Sequence, residues 1–115
     1  MMIFRHVPNP EQVPTPSDIQ ASIQRWQNWI GEVAGQGKFV STNQLGYEGK
    51  TIQQDGLITD GPYTEVKEIV GGYLVLKADS LEDAMKIAHA CPILVEGGNV
   101  EVRNIMSLDV SLTDD

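Results

Sequence analysis

The run GYLVLKA, Gly72 to Ala78, constrains the fold more than any other stretch of the sequence. Tyr73 and Val75 alternate with Leu74 and Leu76, which is the two-residue period of a β-strand, and β-branched and aromatic side chains favour that conformation. No other run in the chain is as strongly strand-like. We therefore predict a central strand here.

Two segments carry the signals of a helix start. Thr15, followed by Pro16 and Asp18, resembles an N-cap with proline at the first helical position and a carboxylate in the first turn. Ser80 and Asp83 form the same kind of pair before the second segment. The apolar positions that follow at spacings of three and four are Ile19, Ile23, Trp26, Ile30 and Val33 in the first helix, and Leu81, Ala84, Met85, Ala88 and Cys91 in the second. The first helix should end near the glycines of GQGK, and the second at the proline of the CP dipeptide.

The remaining strand signals lie near the two ends and in the middle of the chain. MIFRH, Met2 to His6, mixes β-branched and aromatic residues, and the prolines that follow it interrupt any regular element. KFVSTNQL and KTIQQ flank GYEG, and Asp55-Gly56 marks another turn before LITD, which predicts a meander. NVEVRNI, Asn99 to Ile105, alternates and predicts the last strand.

The order strand, helix, strands, helix, strand matches the split βαβ, ferredoxin-like α+β fold, with an antiparallel sheet and both helices on one face. A chain of 115 residues fits a single domain, 1–115. Nothing in the chain is left to cover the other face of the sheet. We therefore expect a homodimer that packs sheet against sheet.

Composition argues against several kinds of partner and cofactor. Sixteen acidic residues against eight basic ones give a net charge of −8, which repels a nucleic-acid backbone. No apolar run approaches the ~20 residues of a membrane span, and no secretory signal is visible, so we expect no membrane partner and a cytoplasmic location. Two histidines and one cysteine, widely spaced, form no metal-ligand cluster, and no glycine-rich phosphate loop suggests a nucleotide cofactor.

The segment DGPYTEVKEIVGGYLVL, residues 60 to 76, is preceded by QRWQNWIGEVAGQGKFVSTNQL and followed by CPILVEGGNVEVRNI. Together these motifs resemble the YCII-related family, specifically its DGPF-motif branch, over nearly the whole chain. The resemblance implies a ferredoxin-like, dimeric α+β barrel, here with an extra hairpin, and a cleft in which the motif aspartate, Asp60, is the proposed catalytic or ligand-binding residue. Tyr63 stands where the motif has phenylalanine and adds a hydroxyl group. Some members pair the aspartate with a histidine.

Asp60 is the first candidate for the chemistry. It could act as a general base in a dry cleft or beside a cation. Alternatively, it only accepts backbone N–H bonds at the head of a proline-containing turn. Arg5, which shares a strand face with Ile3, is the first candidate cation, because a guanidinium can bind a carboxylate through two parallel bonds. Arg103, on the last predicted strand, is the second, and the alternative for both is a surface ion pair.

Several other side chains have weaker claims. His6, at the end of the first strand, would suit proton transfer near neutral pH, or it is simply a hydrogen-bonded strand-end residue; His89 fits an ordinary helix. Glu65 lies in a charged stretch that we expect to be solvated or at a dimer rim, although it could touch a ligand. Trp26 and Trp29 should pack against the sheet. The lone cysteine should be a small buried hydrophobe rather than a nucleophile.

Two functional hypotheses follow. The first is a small-molecule-binding protein for an anionic or carbonyl-bearing ligand, with Asp60 at the centre and Arg5 as the anchor. As an enzyme, it would carry out cofactor-independent proton transfer of the isomerase, lyase or dehalogenase type. The second is a non-enzymatic homodimeric binding or regulatory module, which the resemblance supports because many family members are encoded beside extracytoplasmic-function sigma factors.

Overall fold

The computed structural model describes residues 1–6, 13–46, 48–60 and 69–106, apart from the side chains of residues 59, 60 and 69. The elements in chain order are β1 (Met2–His6), α1 (Pro16–Gly35), β2 (Phe39–Gln44), β3 (Lys50–Ile52), β4 (Ile58–Asp60), β5 (Ile69–Leu76), α2 (Leu81–Ala88), a 3-10 turn (Pro92–Leu94) and β6 (Gly98–Val102).

Four of these strands form an antiparallel sheet in the order β2-β5-β1-β6. The predicted central strand is confirmed, because β5 lies between β2 and β1. Met2 pairs with Leu74 of β5 on one side and with Val102 of β6 on the other. This strand order and the positions of the two helices make the domain α+β and compatible with the predicted ferredoxin-like fold.

The predicted meander is wrong at one junction, because β2 pairs with β5 and not with β3. β3 instead pairs with β4 in a separate two-stranded antiparallel sheet, with Lys50 opposite Asp60. The turn between these two strands is the predicted one: Gly56 has a φ of 88°, and the Asp55 carboxylate accepts a hydrogen bond of 2.9 Å from the Leu57 N–H. β5 has eight residues and β3 has three, so β2 can form more backbone hydrogen bonds with β5 than with β3.

Both predicted helix starts are confirmed. At the start of α1, Thr15 Oγ1 accepts from the Asp18 N–H at 3.1 Å, and Asp18 Oδ2 accepts from the Thr15 N–H at 3.0 Å. At the start of α2, Ser80 Oγ accepts from the Asp83 N–H at 3.1 Å. These bonds satisfy N–H groups that have no partner within the helix. Gly37, with a φ of 72°, follows the end of α1 as predicted for this glycine-rich segment.

The core lies between the helices and one face of the sheet. The rings of Phe4, Trp26 and Trp29 meet edge to face with centroids 5.0 to 6.0 Å apart, which confirms that the tryptophans pack on the sheet. Trp29 Nε1 also donates to the carbonyl of Ile87 at 3.2 Å and thereby joins α1 to α2 on this face. The other buried members of the core are Met2, Val33, Leu74, Ala88, Cys91 and Ile93.

The predicted apolar stripes are confirmed only in part. Ile19 and Ile23 of α1 are exposed, as are Leu81 and Met85 of α2. α1 has 20 residues and β1 has 5, so the helix is about 30 Å long and the strand about 17 Å. α1 is therefore longer than the strand on which Trp29 packs, and one short strand cannot cover its whole apolar stripe. Within the described part of the chain, no helix is both long and apolar enough to cross a membrane.

Candidate functional site

The four-stranded sheet has a second face, opposite the helices, which we call the open face. Its central residues follow from strand alternation: Met2 and Phe4 are buried in the core, so Ile3 and Arg5 project to the other side. Tyr73 of β5 and Glu101 of β6 lie opposite Ile3 on either side of it. The open face is defined here by Ile3, Arg5, Asn43, Tyr73, Val75 and Glu101.

Two arginines meet one carboxylate at the β6 side of this face. Arg5 Nη1 donates to Glu101 Oε1 at 2.7 Å, and Arg103 Nε lies 3.6 Å from Glu101 Oε2. β6 ends at Val102, so Arg103 stands just past the strand on which it was predicted. The Arg5 side chain is 27% exposed and that of Arg103 is 68% exposed. The alternative of a surface ion pair is therefore observed, and binding of a ligand by either arginine stays a prediction.

A second polar contact lies on the same face. Asn43 Nδ2 of β2 donates to the Tyr73 hydroxyl at 2.8 Å. Asn43, Tyr73 and Glu101 were not predicted as site residues from the sequence. The alternating pattern of β6 could have flagged Glu101, but its closeness to Arg5 depends on knowing that β6 lies beside β1.

His6 is half-buried at the end of β1, opposite Gly98 of β6 and Ile69 of β5. Strand alternation places it on the face of Met2 and Phe4 and not on the open face of Arg5. Its ring lies close to the backbone of Gly71, where β5 carries one extra residue relative to β1. His89 stands at the C-cap of α2 and is exposed, which agrees with its interpretation as an ordinary helix residue.

Three predicted site groups fall outside what the structure describes. The backbone of Asp60 ends β4, opposite Lys50, but its side chain is not among the described atoms. Tyr63 and Glu65 lie outside the described residues altogether. The structure thus brings Arg5 and Arg103 together through Glu101 and leaves the predicted roles of Asp60, Tyr63 and Glu65 as predictions.

A second carboxylate, Glu96, is held by three side chains of α1. It accepts hydrogen bonds from Ser22 Oγ at 2.6 Å, Trp26 Nε1 at 2.9 Å and Arg25 Nη2 at 2.7 Å. Burial by itself would raise the pKa of Glu96, but the bonds from Ser22, Trp26 and Arg25 outweigh it and hold the pKa below its ordinary value. With its oxygens engaged in this way, Glu96 fastens the segment before β6 to α1 rather than serving a ligand.

Cys91 is buried in the core. Burial raises the pKa of its thiol to about 11, the negative charge of Glu96 adds to the rise, and a backbone hydrogen bond at Ile93 opposes it. The thiolate is therefore scarce at neutral pH, which agrees with the predicted role of a small buried hydrophobe. Within the described residues, no group of three or more histidine, cysteine or acidic side chains is placed to hold a metal ion.

Comparison with protein families decides the identity of the domain. The YCII-related domain matches residues 4–109 and thus includes both helices, Asp60 and every residue of the open face except Ile3. The chain belongs to the YCII-related family. The family part of the predicted resemblance is confirmed by this match. A search of curated proteins found no match to this YCII-related chain.

Proposed function

We propose that this YCII-related protein binds a small anionic or carbonyl-bearing molecule, with Arg5 as the anchor and Asp60 at the binding or reacting centre. The observation that carries the proposal is the ion group of Arg5, Glu101 and Arg103 on the open face. A guanidinium that is partly exposed and already fixed in direction is well suited to receive a carboxylate or a polarised carbonyl.

The charge of this ion group also supports an anionic ligand. Two guanidinium groups and one carboxylate leave one net positive charge, on a chain whose overall charge is −8. A local positive region on an acidic protein attracts an anion at short range while the protein as a whole repels polyanions. Glu101 would keep Arg5 in position before the ligand arrives. The ligand would then share the guanidinium with Glu101, because a guanidinium has about five N–H donors.

The chemistry of an enzymatic version would need no cofactor. Arg5 would bind the substrate carboxylate, or the oxygen that gains negative charge, and the Asp60 carboxylate would take a proton from the carbon beside the carbonyl. Returning that proton to another atom completes an isomerisation, and loss of a leaving group completes an elimination. His6 is the second candidate proton carrier, and it would have to reach the ligand around the end of β1, because strand alternation places it on the face of Met2 and Phe4. Tyr63 and Glu65 are proposed ligand contacts. The DGPY motif, close to that of the DGPF branch, supports the choice of Asp60.

We also propose that the protein is a cytoplasmic homodimer whose subunits pack through their open faces into an α+β barrel. Ile3, Tyr73 and Val75 give this face an apolar component, which supports burial against a second copy. A single unpaired cysteine fits a reducing compartment. Light scattering at micromolar concentration should give the mass of two chains, and the mass of one chain would refute the dimer.

A thermal-shift screen tests the ligand proposal. Small carboxylates and carbonyl metabolites would be tested against wild type, Asp60→Asn and Arg5→Gln at one fixed protein concentration, because the midpoint of a dimer depends on concentration. Lys86→Gln is the matched loss of one positive charge, on a helix that packs against the opposite face. We expect a ligand that raises the midpoint of wild type and of the Lys86 variant, but not that of the Arg5 or Asp60 variants.

Two other outcomes would count against the proposal. A ligand that stabilises all four proteins equally binds elsewhere. If no compound stabilises wild type and Asp60→Asn itself lowers the midpoint, Asp60 holds a turn. The alternative of a non-enzymatic regulatory module, associated with sigma-factor signalling, would then be preferred, and protein partners should be sought.

A further inference from the structure

A row of four residues crosses the open face from one edge of the sheet to the other. Asn43 of β2 lies opposite Tyr73 of β5. Tyr73 in turn lies opposite Ile3 of β1, and Ile3 lies opposite Glu101 of β6. Residues that pair directly in an antiparallel sheet project from the same face. The row therefore has polar groups at both ends and an apolar side chain between them.

Arg5 joins this row through its contact with Glu101. Its backbone lies opposite Asn99, whereas its guanidinium donates to Glu101, the residue opposite Ile3, at 2.7 Å. The guanidinium is therefore directed back along β1 toward the row. Because the bond to Glu101 uses only part of the donor capacity of the guanidinium, its other N–H groups can receive a ligand carboxylate.

Tyr73 is held near the other end of the row by two consecutive residues of β2. Thr42 Oγ1 donates to the Tyr73 carbonyl oxygen at 2.8 Å, and Asn43 Nδ2 donates to the Tyr73 hydroxyl oxygen, also at 2.8 Å. The hydroxyl thus acts as an acceptor toward Asn43. Within the part of the chain that the structure describes, it makes no other hydrogen bond. Its own proton is therefore available to a ligand, in a direction that Asn43 restricts.

We propose that Tyr73 is a second ligand anchor, positioned by Asn43, and that the site takes a short dicarboxylate. One carboxylate would bind Arg5, the carbon chain would lie over Ile3, and the other carboxylate would accept from the Tyr73 hydroxyl. β5 and β6 are two strand spacings apart, about 10 Å, a span that suits a ligand with an acceptor at each end. This inference rests on the proposed function, which supplies Arg5 as the first anchor. In the proposed dimer the row would line the inside of the barrel.

Calorimetric titration with matched pairs of acids tests this proposal. Succinate, glutarate and adipate carry two carboxylates, and butyrate, valerate and hexanoate have the same numbers of carbons with one carboxylate. We expect at least one dicarboxylate to bind wild type about tenfold more tightly than its monocarboxylate partner. Tyr73→Phe keeps the ring and removes the hydroxyl, so it should abolish this preference without changing the affinity for the monocarboxylate. Asn43→Ala should reduce the preference, because it leaves the hydroxyl present but not directed.

Thr42→Val is the matched control. It removes a hydroxyl that bonds to the backbone of Tyr73, from a position opposite the buried Leu74 and therefore on the covered face. This variant should keep the preference for the dicarboxylate. A general loosening of the sheet would weaken the binding of both kinds of acid together, whereas loss of the Tyr73 hydroxyl should weaken only that of the dicarboxylate.

Two results would overturn this inference and leave the proposed function intact. In the first, Arg5→Gln weakens the binding of both kinds of acid while Tyr73→Phe changes neither. In the second, no dicarboxylate of the series binds wild type more tightly than its partner. If circular dichroism shows that Tyr73→Phe does not fold, an unchanged preference in Asn43→Ala refutes the inference instead. If Arg5→Gln changes no affinity, the proposed function and this inference both fail.

Discussion

The two faces of the four-stranded sheet are formed by alternate residues of the same strands, and they differ in character: one is an apolar core and the other carries charged side chains. On β1, Met2 and Phe4 are buried against the helices, whereas Arg5 forms an ion pair with Glu101 on the open face. The described core contains no buried polar or charged side chain. Because the strand period is two, a short strand can supply both a core and a chemical surface. Stability and ligand binding should therefore respond to different substitutions on neighbouring residues.

The largest expected effect comes from the helix-covered face. Phe4→Ala removes a ring that contacts both Trp26 and Trp29, and we expect it to lower the free energy of unfolding by about 3–5 kcal/mol. Ile3→Ala, one position away on the open face, is the control and should be affected less. Urea denaturation at a fixed protein concentration measures both. Because the proposed dimer would also bury Ile3, the comparison requires a protein concentration low enough to keep the chain monomeric. Equal losses there would show that the open face is as much a core of the single chain as the covered one.

Cys91 gives a kinetic test of the covered side. Its thiol pKa is raised from 9.0 to about 11, so the thiolate fraction at pH 8 should be about 100-fold lower than that of an ordinary thiol. Alkylation by iodoacetamide should be correspondingly slow in the native protein and fast in urea. Native alkylation as fast as that of the unfolded chain would mean that the core around Cys91 opens readily.

Substitution of Glu96 should have an intermediate effect on the free energy of unfolding, and this effect should depend on pH. Its folded-state pKa is lowered below 4.5, so its contribution to stability is present above the unfolded-state pKa and is lost as the pH falls through the folded-state value. Glu96→Gln should reduce the free energy of unfolding by about 1–2 kcal/mol at neutral pH. The difference from wild type should shrink in acid.

The control for this substitution is Glu48→Gln, at an exposed position in the loop before β3. It should leave the stability nearly unchanged at every pH. Denaturant titrations at neutral pH and below pH 4 would compare the three proteins. A difference between wild type and Glu96→Gln that is independent of pH would contradict the assignment of its hydrogen bonds to the charged carboxylate.

The smallest expected effect lies on the open face. In a single chain the Arg5 and Glu101 side chains are 27% and 40% exposed. At a protein concentration low enough to keep the chain monomeric, solvent therefore weakens their attraction, and a double-mutant cycle with Arg5→Gln and Glu101→Gln should give a coupling of about 1 kcal/mol or less. Chemical denaturation of the four proteins provides the cycle. A coupling well above this value would make the pair a structural element, like those on the covered face, rather than a prepared binding group.

Local signals predicted the elements of this fold better than their partners. The helix starts at Thr15 and Ser80 and the central strand β5 depend on neighbouring residues, and all three were predictable. The partner strand of β2 was not predictable, because the loop after β2 allows more than one partner strand. The two charged clusters were not predicted either. Each joins residues that are far apart in sequence: Arg5 contacts Glu101, and α1 contacts Glu96.

The most direct test of the open face as the ligand site is an amide NMR titration of wild type with the most stabilising carboxylate from the thermal-shift screen. Our account predicts saturable shifts at Ile3, Arg5 and Glu101, with the Arg5 Nε signal among those that move most. Saturable shifts confined to α1 and α2, with Arg5 and Glu101 unmoved, would place the ligand on the covered side and contradict the account.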